Sequence, residues 1–299
     1  MTALKIVFIL STNYSGSHLL AQLLGAHSQC LSIGELHNFR KLKDRRRAGR
    51  NVVNDYQSNP LFHGLAERSA EQWHQRILTN AAQHRPATRV LIDNSKRPQW
   101  AAKICAAQPI DARYIHLVRD PRALVRRWCE TYVTRAARRA QRRRLARQRP
   151  SAIPTCAFGP IESVYAMKWV AANEAISDYL AGRKAPVISY DALATDPVSI
   201  LARLMPSIGL SFEPSQLDYG RAAHSGTLKR DYLRASGHSQ IEADRRWQTE
   251  LPTAIADRVT EMRAVRRYVA QLGMRLDADG LWELQTPLAQ NASSRSSVG

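Results

Sequence analysis

Acidic residues are scarce in this chain. Asp and Glu number 25 against 44 Lys and Arg in 299 residues, a formal net charge of +19 with a sequence pI near 10.4. Such a balance favours anionic partners: nucleotides, nucleic acid, acidic glycans or a membrane surface. Cysteine is as sparse. Cys30, Cys105, Cys129 and Cys156 stand far apart with no Cys-x-x-Cys pair, which argues against a zinc site or a dense disulfide framework and fits reduced thiols. No residues show metal-ligand spacing, so no metal is expected. No apolar run approaches the length of a membrane helix, and the opening segment is too short and too soon interrupted for a secretory leader. The expectation is a soluble, cytoplasmic protein. Neither an internal repeat nor a clear linker divides the chain. One domain over residues 1–285 is expected, with a polar, disordered tail over 286–299.

What is present organises around Lys5–Leu24. The run Lys5-Ile6-Val7-Phe8-Ile9-Leu10 reads as a buried strand, and Leu19, Leu20, Leu23 and Leu24 recur at helical spacing. Between them lie Ser11-Thr12-Asn13-Tyr14-Ser15-Gly16-Ser17-His18. Ser15, Gly16 and Ser17 would sit at the helix N-terminus, where unpaired backbone N–H groups and the helix dipole face an anion. An ordinary serine-capped βα turn gives the same pattern. A Walker A loop needs a lysine directly after its last glycine, and Ser17 stands there instead, which argues against a P-loop kinase.

Further strands are read at Arg89–Asp93, Arg113–Val118 and Pro186–Tyr190. Helices are read at Leu65–His84, Pro98–Ala106, Pro121 through Arg135 and on toward Arg149, Ile161–Ala181, Pro197–Ile208 and Thr253–Leu272. Leu31–His37 is a short extended segment or loop, and Leu217–Ala243 a long functional loop. Strands alternating with helices imply a three-layer α/β fold, a central and mostly parallel sheet flanked by helices. In such sheets ligands bind beyond the carboxyl ends of the strands. Ser15-Gly16-Ser17, Asp93-Asn94-Ser95-Lys96, Arg119-Asp120-Pro121-Arg122 and Tyr190-Asp191 should therefore converge.

The first turn resembles the 5′-phosphosulfate loop of sulfotransferases that use 3′-phosphoadenosine-5′-phosphosulfate (PAPS). Tyr114-Ile115-His116-Leu117-Val118-Arg119-Asp120-Pro121-Arg122-Ala123-Leu124-Val125 closely resembles the strand and turn that bind the 3′-phosphate in that family, where the arginine at Arg119 touches the phosphate. A planar guanidinium suits this through paired, charge-assisted hydrogen bonds. Ser32-Ile33-Gly34-Glu35-Leu36 looks like the Ser-x-Gly-Glu-Leu segment of bacterial members, and Asp93-Asn94-Ser95-Lys96 like their Asp-x-Ser-Lys turn. Ile188-Ser189-Tyr190-Asp191-Ala192-Leu193 resembles the late Tyr-Glu-x-Leu segment. Gly226-Thr227-Leu228-Lys229-Arg230, with Trp247 downstream, is similar to the basic loop that closes over the nucleotide.

The resemblance spans residues 4 to about 250 and implies a P-loop-like sulfotransferase fold of bacterial type. It implies PAPS as donor, adenosine 3′,5′-bisphosphate as product and no metal. The donor contacts carried over are Tyr14, Ser15, Gly16, Ser17, His18, Leu19, Arg119, Arg127, Tyr190, Lys229 and Arg230. Two positions depart from the family. Tyr14 replaces the usual Lys or Arg before the Ser-Gly pair, so Lys96, or the nearer but weaker His18, is the candidate cation for the bridging oxygen. Arg127 replaces the usual 3′-phosphate serine.

Sulfuryl transfer should resemble phosphoryl transfer, in which positioning and electrostatics carry catalysis. The resemblance makes Glu35 the first choice of general base for a hydroxyl or amine acceptor, although nearby cations would weaken it. His37 and His116 are rivals, and His116 within a strand reads more simply as a packed core residue. Two basic runs remain. Arg40–Arg50 holds seven basic residues against one acid, and Arg135–Arg149 holds eight arginines with no acid. They read as solvated faces, or as a docking surface for an acidic acceptor such as a glycan, a lipid headgroup or a phosphopantetheinyl carrier protein. Nucleic-acid binding is the rival class. The basic runs lack interleaved aromatics, and no helix-turn-helix, zinc-finger or RNA-platform motif appears. The reading is a sulfotransferase acting on a small molecule or glycan.

Overall fold

Alternation along the first strand decides how the layers stack. In the computed structural model, which describes residues 4–39, 52–54, 59–219, 227–229 and 241–284, Ile6, Phe8 and Leu10 of β1 (Leu4–Ser11) join one apolar cluster while Val7 and Ile9 join another. Both faces of the strand are thus buried, as a parallel sheet covered by helices on each side requires. The other strands of this sheet are β2 (Cys30–Gly34), β4 (Val90–Lys96), β5 (Ile110–Val118) and β6 (Val187–Ser189). The short strand β3 (Val52–Asn54) pairs instead with β7 (Thr227–Lys229), antiparallel.

The five strands run parallel in the order β2-β4-β1-β5-β6. Ile6 of the central β1 stands opposite Leu91 on one side and Ala112 on the other. The β1–β4 register shifts between Phe8 and Leu10, opposite Asp93 and Lys96. That irregularity re-aims the end of β4 at the place where ligands bind in such sheets.

The helices are α1 (Ser17–Gly25), α2 (Trp73–His84), α3 (Pro98–Ala107), α4 (Pro121–Thr131), α5 (Arg135–Gln148), α6 (Ile153–Phe158), α7 (Ile161–Leu180), α8 (Tyr190–Thr195), α9 (Pro197–Leu204), α10 (Trp247–Glu250), α11 (Thr253–Glu261) and α12 (Arg263–Gln271). On one face α1, α8 and α9 pack through Leu20, Leu24, Leu193 and Leu201. The other face carries α2, α3 and α7. Trp128 of α4 joins Trp169 of α7 and Tyr268 of α12 in a third cluster beside it. A C-terminal hairpin, β8 (Met274–Leu276) and β9 (Leu281–Glu283), lies beyond β6, where Ser189 Oγ donates to Leu281 O.

Three sequence expectations are corrected, and one element was missed. The helix expected from Leu65 starts at Trp73. Gln72 Oε1 accepts from Ser69 N in a capping box that turns the chain in, and Trp73 Nε1 donates back to Leu65 O. The long helix expected through Arg149 breaks at Tyr132–Thr134. Thr134 accepts from Ala137 N and starts a new helix, while Arg138 Nε donates to the freed Tyr132 carbonyl. The helix expected over Thr253–Leu272 breaks at Met262, whose ψ of 119° is extended. The final hairpin was not anticipated. Asp277 shapes its turn by accepting from Asp279 N, Gly280 N and Trp282 Nε1. Among the described residues, no helix is long and apolar enough to cross a membrane. The Arg40–Arg50 run, Arg230 and the 286–299 tail lie outside the described residues, as does the side chain of Lys229.

Candidate active site

The turn after β1 needs two residues in left-handed backbone, Tyr14 at φ 72° and Gly16 at φ 87°. Glycine adopts this freely, and at Gly16 it is also required by space. A Cβ there would lie 2.3 Å from Cδ2 and 2.7 Å from Cε2 of Tyr190. The tyrosine ring therefore presses directly on the loop backbone. Ser15 Oγ lies 2.5 Å from Thr12 Oγ1, so this hydroxyl braces the turn. Ser17 Oγ is buried without a partner where α1 begins. Leu19 packs into the core beneath.

Opposite the loop, the end of β4 is fixed by a buried carboxylate. Asp93 lies 2.8 Å from His74 Nε2 and accepts from Trp100 Nε1 and Ser95 N, also at 2.8 Å. Burial alone would raise its carboxyl pKa, but these donors outweigh burial and hold it below the usual value. Three residues on, Lys96 adopts φ 69°. Its ammonium reaches Glu35 Oε1, which also lies 3.0 Å from His18 Nε2, while Glu35 Oε2 accepts from Asn38 Nδ2 at 2.9 Å. The far side of His18 meets Asn94 Nδ2 at 3.3 Å. Burial pushes the Glu35 carboxyl up, yet Lys96 and His18 prevail and keep it far below the carboxylate range. Glu35, Lys96 and His18 thus form one triangle on the cleft wall.

Arg119 closes the third side. Its Nη1 donates to Tyr14 O at 2.8 Å, its Nη2 lies 2.9 Å from Asp244 Oδ2, and its guanidinium carbon stands 4.4 Å above the Tyr190 ring. Its Nε is buried and unpartnered. Asp244 is shared, since Arg246 donates to both of its oxygens at 2.8 Å. Arg246 first, and then Arg119, hold that carboxyl far below its ordinary value. Asp120 serves as N-cap of α4, accepting from Arg122 N at 2.7 Å, so this turn is a capped helix start that places Arg119 just outside the helix.

These groups enclose a cleft of about 540 Å³ lined by Tyr14, Gly16, Ser17, His18, Glu35, Lys96, Arg119, Arg127 and Tyr190 from the expected set. Arg127 stands 4.9 Å from the Tyr14 ring centroid and donates to Glu130 at 2.8 Å. Asn13, Arg126, Asp244 and Arg246 also line the cleft and were missed. Arg126, held by Glu250 at 2.6 Å, carries the same signal as Arg127, a cation one turn into α4. Asp244 and Arg246 follow a long stretch without periodicity and left no signal.

Two histidines fall elsewhere. His37 does not line the cleft, and its ring lies against Trp100 with centroids 6.4 Å apart and both nitrogens unpartnered. Burial, then the Arg97 charge, push its pKa down to about 4, so it is neutral. His116 is buried in β5, 3.1 Å from Asn173 Oδ1, and burial lowers its pKa to about 4.

A parallel sheet whose loop, strand ends and helix N-terminus converge on a basic cleft defines a P-loop-like α/β fold. The chain belongs to the sulfotransferase family: a profile described as "Sulfotransferase family" matches residues 7–214. Among solved structures, the sulfotransferase domain from the curacin biosynthetic pathway is similar at 21% identity and TM-score 0.51, covering 91% of this chain and 99% of that one. The sulfotransferase domain from the Synechococcus PCC 7002 olefin synthase is similar at 19% identity and TM-score 0.51, covering 91% and 96%. At these identities the likeness shows the fold. No curated protein matches the sequence.

Proposed function

We propose that this sulfotransferase moves the sulfuryl group of PAPS to a hydroxyl or amine of a small-molecule or glycan acceptor. The observation that carries the reading is a pair of buried polar groups, without a hydrogen-bond partner among the described residues, on the wall of one basic cleft: Ser17 Oγ at the start of α1 and Arg119 Nε just after β5. Buried polar groups without partners call for a ligand that supplies them. The 5′-phosphosulfate fits the first, with the loop N–H groups around Gly16, and the 3′-phosphate fits the second. A phosphate at Arg119 displaces the Asp244 carboxylate, which Arg246 already holds by both oxygens.

PAPS supplies the sulfuryl group and a stable bisphosphate leaving group. The chain positions and neutralises. Lys96 offers its ammonium to the oxygen bridging phosphorus and sulfur, in place of the cation that Tyr14 lacks. Glu35 Oε2, engaged among the described residues by Asn38, has acceptor capacity left for the incoming hydroxyl. As the acceptor oxygen bonds to sulfur and the bond from sulfur to the bridging oxygen breaks, the acceptor proton passes to Glu35. A weak base suffices because a loose transition state calls on the nucleophile late. Tyr190 keeps Arg119 in place by stacking. By the sequence resemblance, Lys229 and Arg230 are further donor contacts.

The test is calorimetric titration with adenosine 3′,5′-bisphosphate against adenosine 5′-monophosphate. Two charge-assisted hydrogen bonds at about 1.5 kcal/mol each predict a preference of roughly a hundredfold for the bisphosphate. Arg119→Ala should bring the bisphosphate close to the monophosphate level. Equal affinity for the two nucleotides, or no change in Arg119→Ala, would refute the assignment.

A further inference from the structure

A second cavity, of about 550 Å³, opens on the other side of Lys96 and Asn13, both of which it shares with the donor cleft. Its character is different. Ala171, Ala172 and Ala175 of α7 form a smooth wall of small side chains, with Trp128 of α4 also lining the cavity. Tyr132, at the break between α4 and α5, lines it too. That break turns α5 back across α7, where Gln141 accepts from Lys168 Nζ at 2.8 Å, and puts Arg144 on the cavity wall. The arginine-rich helix is therefore one side of a cavity that ends at the candidate reaction centre.

The charge in this cavity is unbalanced. Among the described residues, no lining residue is acidic. Among the described residues Arg144 makes no ion pair, whereas Arg149 on the same side is neutralised by Glu174. Lys168 Nζ stands 4.2 Å from the Trp128 ring centroid and 4.8 Å from that of Tyr132. Burial, then the Arg144 charge, push its amine pKa down to about 7. With no carboxylate between Arg144 and Lys168, an anion placed there offsets the Arg144 charge and favours the protonated form of the amine.

We propose that this cavity receives the acceptor and selects an alcohol or amine with an anionic tail, a carboxylate or phosphate held by Arg144 and Lys168 while the nucleophilic end reaches Lys96. Only the choice of reacting end rests on the sulfotransferase reading. The small apolar wall suits an alkyl or aryl body between the two ends. The anion is either a carboxylate or a phosphate, and the test separates them.

The probes are ω-hydroxyoctanoate, its methyl ester and ω-hydroxyoctyl phosphate. Each is titrated calorimetrically into the protein at fixed ionic strength, with and without adenosine 3′,5′-bisphosphate. The acid or the phosphate should bind at least about tenfold more tightly than the ester. Arg144→Ala, an exposed position that does not endanger folding, and Lys168→Gln should each remove most of that advantage and leave ester binding unchanged. Arg139→Ala, exposed on the same helix but off the cavity wall, should change nothing. Tighter binding of the phosphate assigns a phosphate-bearing acceptor, and tighter binding of the carboxylate a carboxylate-bearing one. Equal or undetectable binding of all three probes overturns the proposal, as does an equal loss in Arg139→Ala, which would mark general attraction to a basic surface. The bisphosphate titration fails or succeeds separately. If it fails while the anionic probes still discriminate, the donor reading falls and the cavity assignment stands.

Discussion

A single methyl group at Gly16 should cost the protein both stability and its nucleotide. In Gly16→Ala the new Cβ meets the Tyr190 ring at 2.3 Å and 2.7 Å, and the backbone keeps φ 87°. Left-handed backbone at a residue with a side chain costs about 1–3 kcal/mol. Overpacking against a buried ring costs a further 1–3 kcal/mol or so. The sum, about 2–6 kcal/mol, should lower Tm by roughly 5–20 °C. The ring cannot retreat freely, because Arg119 stacks on it at 4.4 Å and its hydroxyl accepts from Asp244 N at 3.3 Å. The same methyl therefore displaces Arg119, and bisphosphate affinity should fall with stability. The assays are urea unfolding and bisphosphate calorimetry on Gly16→Ala, Tyr190→Ala and the double variant. Removing the ring makes room for the methyl, so in the Tyr190→Ala background the substitution should cost only the backbone share. A coupling energy of about 1–3 kcal/mol between the two positions is expected. Additive effects would refute the contact as the reason for glycine, and unchanged bisphosphate affinity in Gly16→Ala would refute the link from loop to Arg119.

Glu35→Gln should leave bisphosphate affinity within about twofold and slow turnover by roughly 10²–10⁴. Because Lys96 and His18 keep the Glu35 carboxyl ionised well below the usual range, kcat should show no half-drop near pH 4 to 5; such a limb, or full turnover in the variant, would place the base elsewhere. Asp191 gives the opposite titration: burial, then the Asp120 charge, push its carboxyl up to about 7. The folded state then holds a proton that the unfolded chain releases near pH 4, so stability from this group falls as pH rises from about 4 to 7. Asp191→Asn keeps an acceptor for Leu281 N and should raise stability to urea at about pH 8 but not at pH 4. An equal loss at both would mean that the carboxylate itself anchors the hairpin.

The fold was legible where local chemistry and tertiary position coincide. The apolar runs of β1, β4 and β5 are buried on both faces, so periodicity and burial report the same thing. The polar residues after them converge because a parallel sheet places every strand's carboxyl end on one edge. What was not legible depends on distance. Glu35 meets His18 across 17 positions and Lys96 across 61, so no spacing rule announces the triangle. Asp244 reaches Arg119 across 125 positions, after a segment with no periodic signal. The breaks in the helical stretches split by cause. Thr134 is a capping residue that marks a helix start in plain sight, whereas Met262 carries neither glycine, proline nor a capping side chain.

The arginine-rich helix explains why net charge alone is a poor guide to ligand sites. Its fifteen-residue run has an internal period. Arg138, Arg142, Leu145 and Arg149 recur at three- and four-residue intervals and turn inward. Arg142 donates to the carbonyls of Cys156 at 2.6 Å and Gly159 at 2.8 Å, Arg138 donates to Tyr132 O, and Arg149 pairs with Glu174. With carboxylates scarce, the fold satisfies guanidinium groups with carbonyl oxygens that close helix ends. Arg122 does the same in the core, joining Asp120 to Asp277 O with its guanidinium carbon 3.8 Å from the Trp247 ring centroid. These arginines are framework, and replacing them would damage folding before binding. Arg135, Arg139, Arg143 and Arg147 face solvent, where screening leaves them little specific effect. Arg144 lines a cavity, beside a lysine that stacks on aromatic rings. The formal charge of +19 thus narrows to a few cations aimed at enclosed space. Arg119, Arg126, Arg127, Arg246 and Lys96 line the candidate donor cleft, and Arg97, Arg144 and Lys168 the neighbouring cavity. Lys96 lines both, an arrangement that suits the proposed transfer from one ligand to the other.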